Sequence, residues 1–125
     1  NLPALRLYLY RGWRLEREFP VAVGRRTHQT PTGDFTVANK LVDPTWYPPD
    51  GSPPVPPGPA NPLGSRWIGL SAKGYGIHGT NNPSSIGLAV SLGCVRLREE
   101  DVRELFESVR PGMPVAVVYG RGGRG

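Results

Sequence analysis

Apolar and polar positions alternate with a period of two through Leu5–Tyr10 and again through Trp13–Phe19, the pattern of half-buried β-strands. Gly12 between the runs predicts an opening hairpin, with Trp13, Leu15 and Phe19 on the inward register. Val21–Val23 predicts a third short strand. Pro31 and Gly33 occupy the second and fourth positions of a type I turn predicted over Thr30–Gly33. Phe35–Ala38, Arg66–Leu70, Tyr75–Ile77 and Val95–Leu97 read as further extended segments. The period changes only between Glu99 and Arg110, where Val102, Leu105, Phe106 and Val109 form one apolar stripe at helical spacing. Glu99, Glu100 and Asp101 suit the positive end of that helix and Arg110 the negative end, and Pro111-Gly112 stops it. Val115–Tyr119 predicts a closing buried strand. The expectation is a mainly β fold with one α-helix at about 99–110.

Composition refines this picture in one place. Gly and Pro supply 17 and 15 of 125 residues, but nine of the prolines lie between Pro44 and Pro62. Proline removes a backbone donor and fixes φ, so neither a helix nor a central strand can run through 44–64. Trp46, Tyr47 and Trp67 at its margins predict a folded flap inside a single domain spanning 1–120. The Gly/Arg run 121–125 reads as a flexible tail. The net charge of +5 is scattered, which fits mild attraction to an anionic surface and argues against a nucleic-acid partner. The longest apolar run, Val115–Tyr119, is too short to span a bilayer, and Asn1–Tyr10 lacks the apolar block of a signal peptide. A mature or excised soluble domain, monomeric, is expected.

The candidate chemistry centres on the only cysteine, Cys94, and one of two histidines, His78. In an extended Cys94–Leu97, Cys94 and Arg96 share one face while Val95 and Leu97 take the apolar one. The same alternation buries Ile77 and sends His78 the other way. A thiol beside an imidazole is a nucleophile with its base, and the Arg96 cation should draw the thiol below its free value of about 8.5. Gly93 lets the backbone approach a substrate, so the Gly93 and Cys94 amides are candidate oxyanion donors. No Asp lies within the segment, but the Gly79 carbonyl could fix the imidazole tautomer in its place. The duller alternative for Cys94 is a small buried hydrophobe. His28 reads as a surface turn residue. His28, His78 and Cys94 match no zinc spacing, so neither metal nor cofactor is expected.

His78-Gly79-Thr80 followed by Ser91-Leu92-Gly93-Cys94-Val95-Arg96-Leu97 resembles the HG[TS]…SxGC[IV]R[ML] signature of the YkuD-type L,D-transpeptidases. Thr30–Phe35 is similar to that family's TPTGxF segment, and the resemblance runs from the first hairpin to the last strand. It implies a YkuD-like β-sandwich of mixed and antiparallel sheets with the cysteine in a cleft. Carried over, Cys94 is the nucleophile, His78 the general base and acid, and Gly79 the orienting carbonyl. Gly93 and Cys94 supply the oxyanion hole, Arg96 supports the cleft and a substrate carboxylate, and Ser91 fixes the loop. Ser91, Thr80, Asn81, Trp67 and Tyr75 are the candidate substrate-binding residues. The implied partners are peptidoglycan stem peptides, with carbapenem β-lactams as acylating inhibitors, and the implied location is the periplasm or cell wall. Cell-wall cross-linking would proceed through a Cys94 thioester with release of terminal D-alanine; water as acceptor would give an L,D-carboxypeptidase. Leu92 stands where many members carry a second histidine, and the proline-rich insertion is also a departure. A non-catalytic peptidoglycan-binding module and a sortase-like thiol transpeptidase are the competing readings.

Overall fold

A computed structural model describes residues 1–120; the predicted tail 121–125 lies outside the described residues. Two strands, β1 (Arg6–Arg11) and β2 (Arg14–Pro20), form the expected antiparallel hairpin. β1 starts one residue later than its alternation suggests, because Leu5 takes φ +54°. Phe19 is buried as expected, but Trp13 is fully exposed and Leu15 is 46% exposed. Trp13 lies with Gly12 in the turn between the paired Arg11 and Arg14, and for Leu15 the cause is a β-bulge: Leu9 pairs with Arg17 and Tyr10 with Leu15, leaving Glu16 as the extra residue. An inserted residue reverses the side-chain parity, so Leu15 turns outward beside Tyr10. Arg17 takes the inward register, lies over the Phe19 ring and pairs with Glu104.

The predicted strand at Val21–Val23 is reduced to β3 (Val23–Gly24), preceded by a bridge in which Ala22 and Arg96 exchange both backbone hydrogen bonds. β3 runs parallel to β7 (Ala89–Ser91), a strand that lacks an alternating sequence pattern. The turn expected at Thr30–Gly33 is displaced upstream, where His28 N–H closes on the Arg25 carbonyl at 2.8 Å. His28 is exposed there, as predicted. Thr30 is instead buried and anchored by its hydroxyl.

The main sheet has the order β8-β6-β5-β4-β9, from β4 (Gly33–Val42), β5 (Arg66–Leu70), β6 (Gly76–His78), β8 (Val95–Arg96) and β9 (Pro114–Val117). Only β6–β8 is parallel within it. Val37, Ile68, Ile77 and Val95 line its inner face, packed with Leu9 and Phe19 of the hairpin and with the helix stripe Val102, Leu105, Phe106 and Val109. The helix, α1, spans Glu99–Ser108, two residues short of expectation. Val109 is already extended, and Pro111, which disfavours helical geometry at Arg110 and has no N–H to donate, prevents the helix from resuming. Arg110 therefore does not serve the helix end; Lys40 Nζ does so by donating to the Val109 carbonyl at 2.9 Å. β9 is an edge strand with half-exposed Val115 and Val117, not a buried one. Its inner side borders an apolar cavity of about 700 Å³ beneath the hairpin.

The proline-rich segment is folded. Trp46 and Val55 pair across it, and the fully buried Asn61 knots its base. Asn61 Nδ2 donates to the carbonyls of Pro44, Val55 and Pro56, and its Oδ1 accepts from Leu63 N–H at 2.8 Å. In a stretch poor in backbone donors, one amide side chain replaces the missing ladder.

Candidate active site

The outer face of the main sheet assembles the site. Cross-strand pairs Trp67↔His78 and His78↔Arg96 put these three side chains on one face, opposite the buried Ile68, Ile77 and Val95. Cys94 lies two residues before Arg96 at the start of β8, so it joins that face. The strand alternation thus places Cys94, His78 and Arg96 on one face of the sheet. Cys94 is half-buried and its Sγ–H points to the Gly74 carbonyl at 3.8 Å.

His78 Nδ1 lies 2.5 Å from the Gly79 carbonyl oxygen. A carbonyl can only accept, so Nδ1 carries the proton and Nε2 keeps its lone pair. Trp67 is not laid out to meet a substrate first. Added Cβ atoms on the paired Gly69 and Gly76 would fall 2.9 Å and 2.6 Å from its indole, so the ring lies flat over two glycines. From there it stacks on His78, with centroids 5.8 Å apart and planes at 18°. Trp67 walls the imidazole from water.

That burial governs the electrostatics. It lowers His78 from 6.5 to about 4, opposed by the Gly79 carbonyl and assisted by the Arg96 cation. Burial also pushes the Cys94 thiol up, outweighing the Gly76 backbone and Arg96, which favour the thiolate. The expectation that Arg96 leaves a depressed thiol is therefore corrected: desolvation wins, and the resting pair is a neutral thiol beside a neutral imidazole. One consequence concerns stability. The folded His78 binds its proton less readily than the unfolded one, so stability holds above about pH 6.5 and falls as pH drops toward 4. The loss should approach about 3 kcal/mol. Denaturant titrations at pH 7 and pH 4 should show this loss in the wild type and much less of it in His78→Gln; equal losses would assign it elsewhere.

The loop before Cys94 is held from two sides. Ser91 Oγ donates to the Cys94 carbonyl at 2.6 Å and accepts from Gly93 N–H at 3.1 Å. Ser91 is buried and fixes the loop, as expected, but it is not placed to bind substrate. The same bond corrects the oxyanion assignment, since the Gly93 amide is already engaged. Thr30 Oγ1 accepts from Gly24 N–H and donates to the Gly93 carbonyl at 2.7 Å. That carbonyl and the Cys94 N–H belong to one planar trans peptide, so the bond from Thr30 fixes the Cys94 N–H to point away from Thr30. Gly93 has φ +128° and a Cβ there would fall 2.6 Å from the Tyr75 ring. The Tyr75 ring therefore packs against the loop at Gly93.

Two further substrate-binding candidates make hydrogen bonds within the chain. Thr80 is buried, with its N–H on Glu99 and its hydroxyl accepting from Asn82 N–H. Asn81 Nδ2 donates to Pro59 O at 3.2 Å and ties the flap to the exit of β6. Sequence reasoning missed Thr30, Asn61 and Glu99 as builders of the site. Thr30 was signalled by its TPTGxF motif; Asn61 and Glu99 carry no local signal, because their partners are distant in the chain.

Comparison with known proteins agrees with this geometry. A family model described as the L,D-transpeptidase catalytic domain matches residues 1–117. A Bacillus licheniformis protein, YkuD, named as an L,D-transpeptidase, is 43% identical over 111 residues, covering 89% of this chain and 58% of that protein. The chain thus spans little more than half the length of that curated relative. The catalytic domain of the E. faecium L,D-transpeptidase acylated by ertapenem is 28% identical, with a TM-score of 0.73, 93% of this chain and 91% of that one being covered. An L,D-transpeptidase from Mycobacterium smegmatis, 21% identical with a TM-score of 0.78 over 94% of this chain and 56% of that one, shares the fold. With its strand order, its SxGCxR loop and a matching family model over nearly all of its length, this chain belongs to the family of L,D-transpeptidase catalytic domains.

Proposed function

We propose that this domain is a cysteine acyltransferase acting on peptidoglycan stem tetrapeptides. The observation that carries this reading is the shared outer face of Cys94, His78 and Arg96, with His78 Nδ1–H committed to Gly79. His78 Nε2 takes the proton of Cys94 as Sγ attacks the carbonyl of the third stem residue. The developing oxyanion faces the Cys94 N–H. Collapse breaks the C–N bond, and the same proton returns through His78 to the amine of the leaving D-alanine. An acceptor amine then attacks the thioester, gives a proton to His78, and releases Cys94 as the thiol. Because both partners rest neutral, proton transfer accompanies attack rather than preceding it. Among the described residues Arg96 has no carboxylate partner, which leaves its cation for a carboxylate of the substrate.

The acylated E. faecium relative supports carbapenems as inhibitors of this domain. The substrate class supports an extracytoplasmic site of action, in the periplasm or cell wall. Incubation with a defined tetrapeptide and an acceptor amine should release D-alanine and yield a cross-linked product. Release without cross-linked product would make the domain a carboxypeptidase. Absence of both D-alanine release and a carbapenem adduct on Cys94 would leave a peptidoglycan-binding module.

A further inference from the structure

The peptide joining Gly79 to Thr80 is gripped at both ends. Its carbonyl oxygen accepts from His78 Nδ1–H at 2.5 Å, and its N–H donates to Glu99 Oε2 at 3.0 Å. The other carboxylate oxygen, Oε1, accepts from Ser65 N–H at 3.0 Å. The seat is built for this group: a Cβ on Gly64 would fall 1.9 Å from Oε2, and a Cβ on Gly79 would fall 1.7 Å from it. Glu99 comes from the first turn of α1, yet its carboxylate leaves the helix to bind two loop amides. Arg103, one turn on, stands 4.0 Å from Oε1 on the exposed side.

We propose that Glu99 is a positioning residue for the Cys94–His78 pair, its carboxylate acting on the imidazole through the Gly79–Thr80 peptide. The inference rests on the reading of His78 as the base. A peptide group is planar, so fixing its N–H fixes the direction of its C=O and hence the ring that donates to it. A negative charge on the N–H also polarises the group and makes its carbonyl a stronger acceptor. The imidazolium that forms during attack is opposed by burial and by the Arg96 cation on β8. The Gly79 and Leu63 carbonyls favour it. A carboxylate working through a peptide eases that opposition without placing an anion beside the attacking sulfur.

Glu99→Gln tests this, because the amide accepts one N–H but turns an NH₂ toward the other donor. The His78 ring nitrogens are followed by NMR as a function of pH, and Cys94 acylation by a carbapenem is timed by mass spectrometry. The His78 midpoint should move down and acylation slow by about tenfold, the worth of one pKa unit of imidazolium stabilisation. A merely structural Glu99 would lower Tm and leave the His78 midpoint where it is in the wild type; that result overturns the proposal. Should Glu99→Gln fail to fold, Arg103→Gln on the exposed helix face removes the cation beside Glu99. The midpoint should then rise, and an unmoved midpoint overturns the proposal. A wild type that takes no adduct on Cys94 would instead sink the acyl-enzyme reading, while the titration still reads the relay.

Discussion

Cys94→Ala is expected to abolish acylation, by at least about 10⁴-fold, with Tm changed by no more than a few degrees. The chemical half follows from the absence of a second thiol in the chain. The structural half follows from position: Cys94 is half-buried and lies outside the apolar cluster, whose nearest members are Val95 and Leu97 on the opposite face. Alanine removes a sulfur whose neighbours are polar: a long, weak hydrogen bond to the Gly74 carbonyl, the Gly76 backbone and the Arg96 cation. Mass spectrometry with a carbapenem and a thermal melt decide the matter. A full adduct on the variant would locate the nucleophile elsewhere, and a large fall in Tm would return Cys94 to the core.

His78→Gln should slow acylation by about 10²–10⁴-fold at neutral pH. The dependence on pH is the sharper signature. Burial holds the thiol above its ordinary value, so little thiolate forms at pH 7 without a base. As pH rises the thiol ionises unaided, and the deficit of the variant should narrow. Rate profiles of the wild type and variant over the alkaline range test this. A near-normal rate at pH 7 removes His78 from the reaction, and a deficit that stays constant would mean that the histidine positions substrate instead of moving a proton.

Much of the fold was readable because its cause was local. The helix over Glu99–Ser108 follows from one apolar stripe, and the hairpin follows from two alternating runs around Gly12. The faces of β6 and β8 were also readable, since Ile77 and Val95 point inward and force His78 and Cys94 out. The errors share one origin. Leu15 was misplaced because a bulge changes parity without changing the local pattern. Strand β7 was missed because a parallel pairing with β3 needs no alternation of its own. Ser91, Thr80 and Tyr75 sit next to the reactive residues in sequence, yet each is used to brace a loop.

By itself the chain determined which atoms can react: one sulfur, an imidazole with a carbonyl beside it, and strands whose alternation turns both away from the core. Those properties depend on residue identity and on neighbours one or two positions away. Tertiary structure decided how those atoms are tuned. Trp67 over His78 dries the ring, Thr30 turns the Gly93–Cys94 peptide, and Glu99 seats itself in the gap left by Gly64 and Gly79. Each joins segments between 11 and 63 residues apart, as between Trp67 and His78 or Thr30 and Gly93. Desolvation depends on what the whole fold packs around a group, so no local pattern could have announced that the thiol rests neutral.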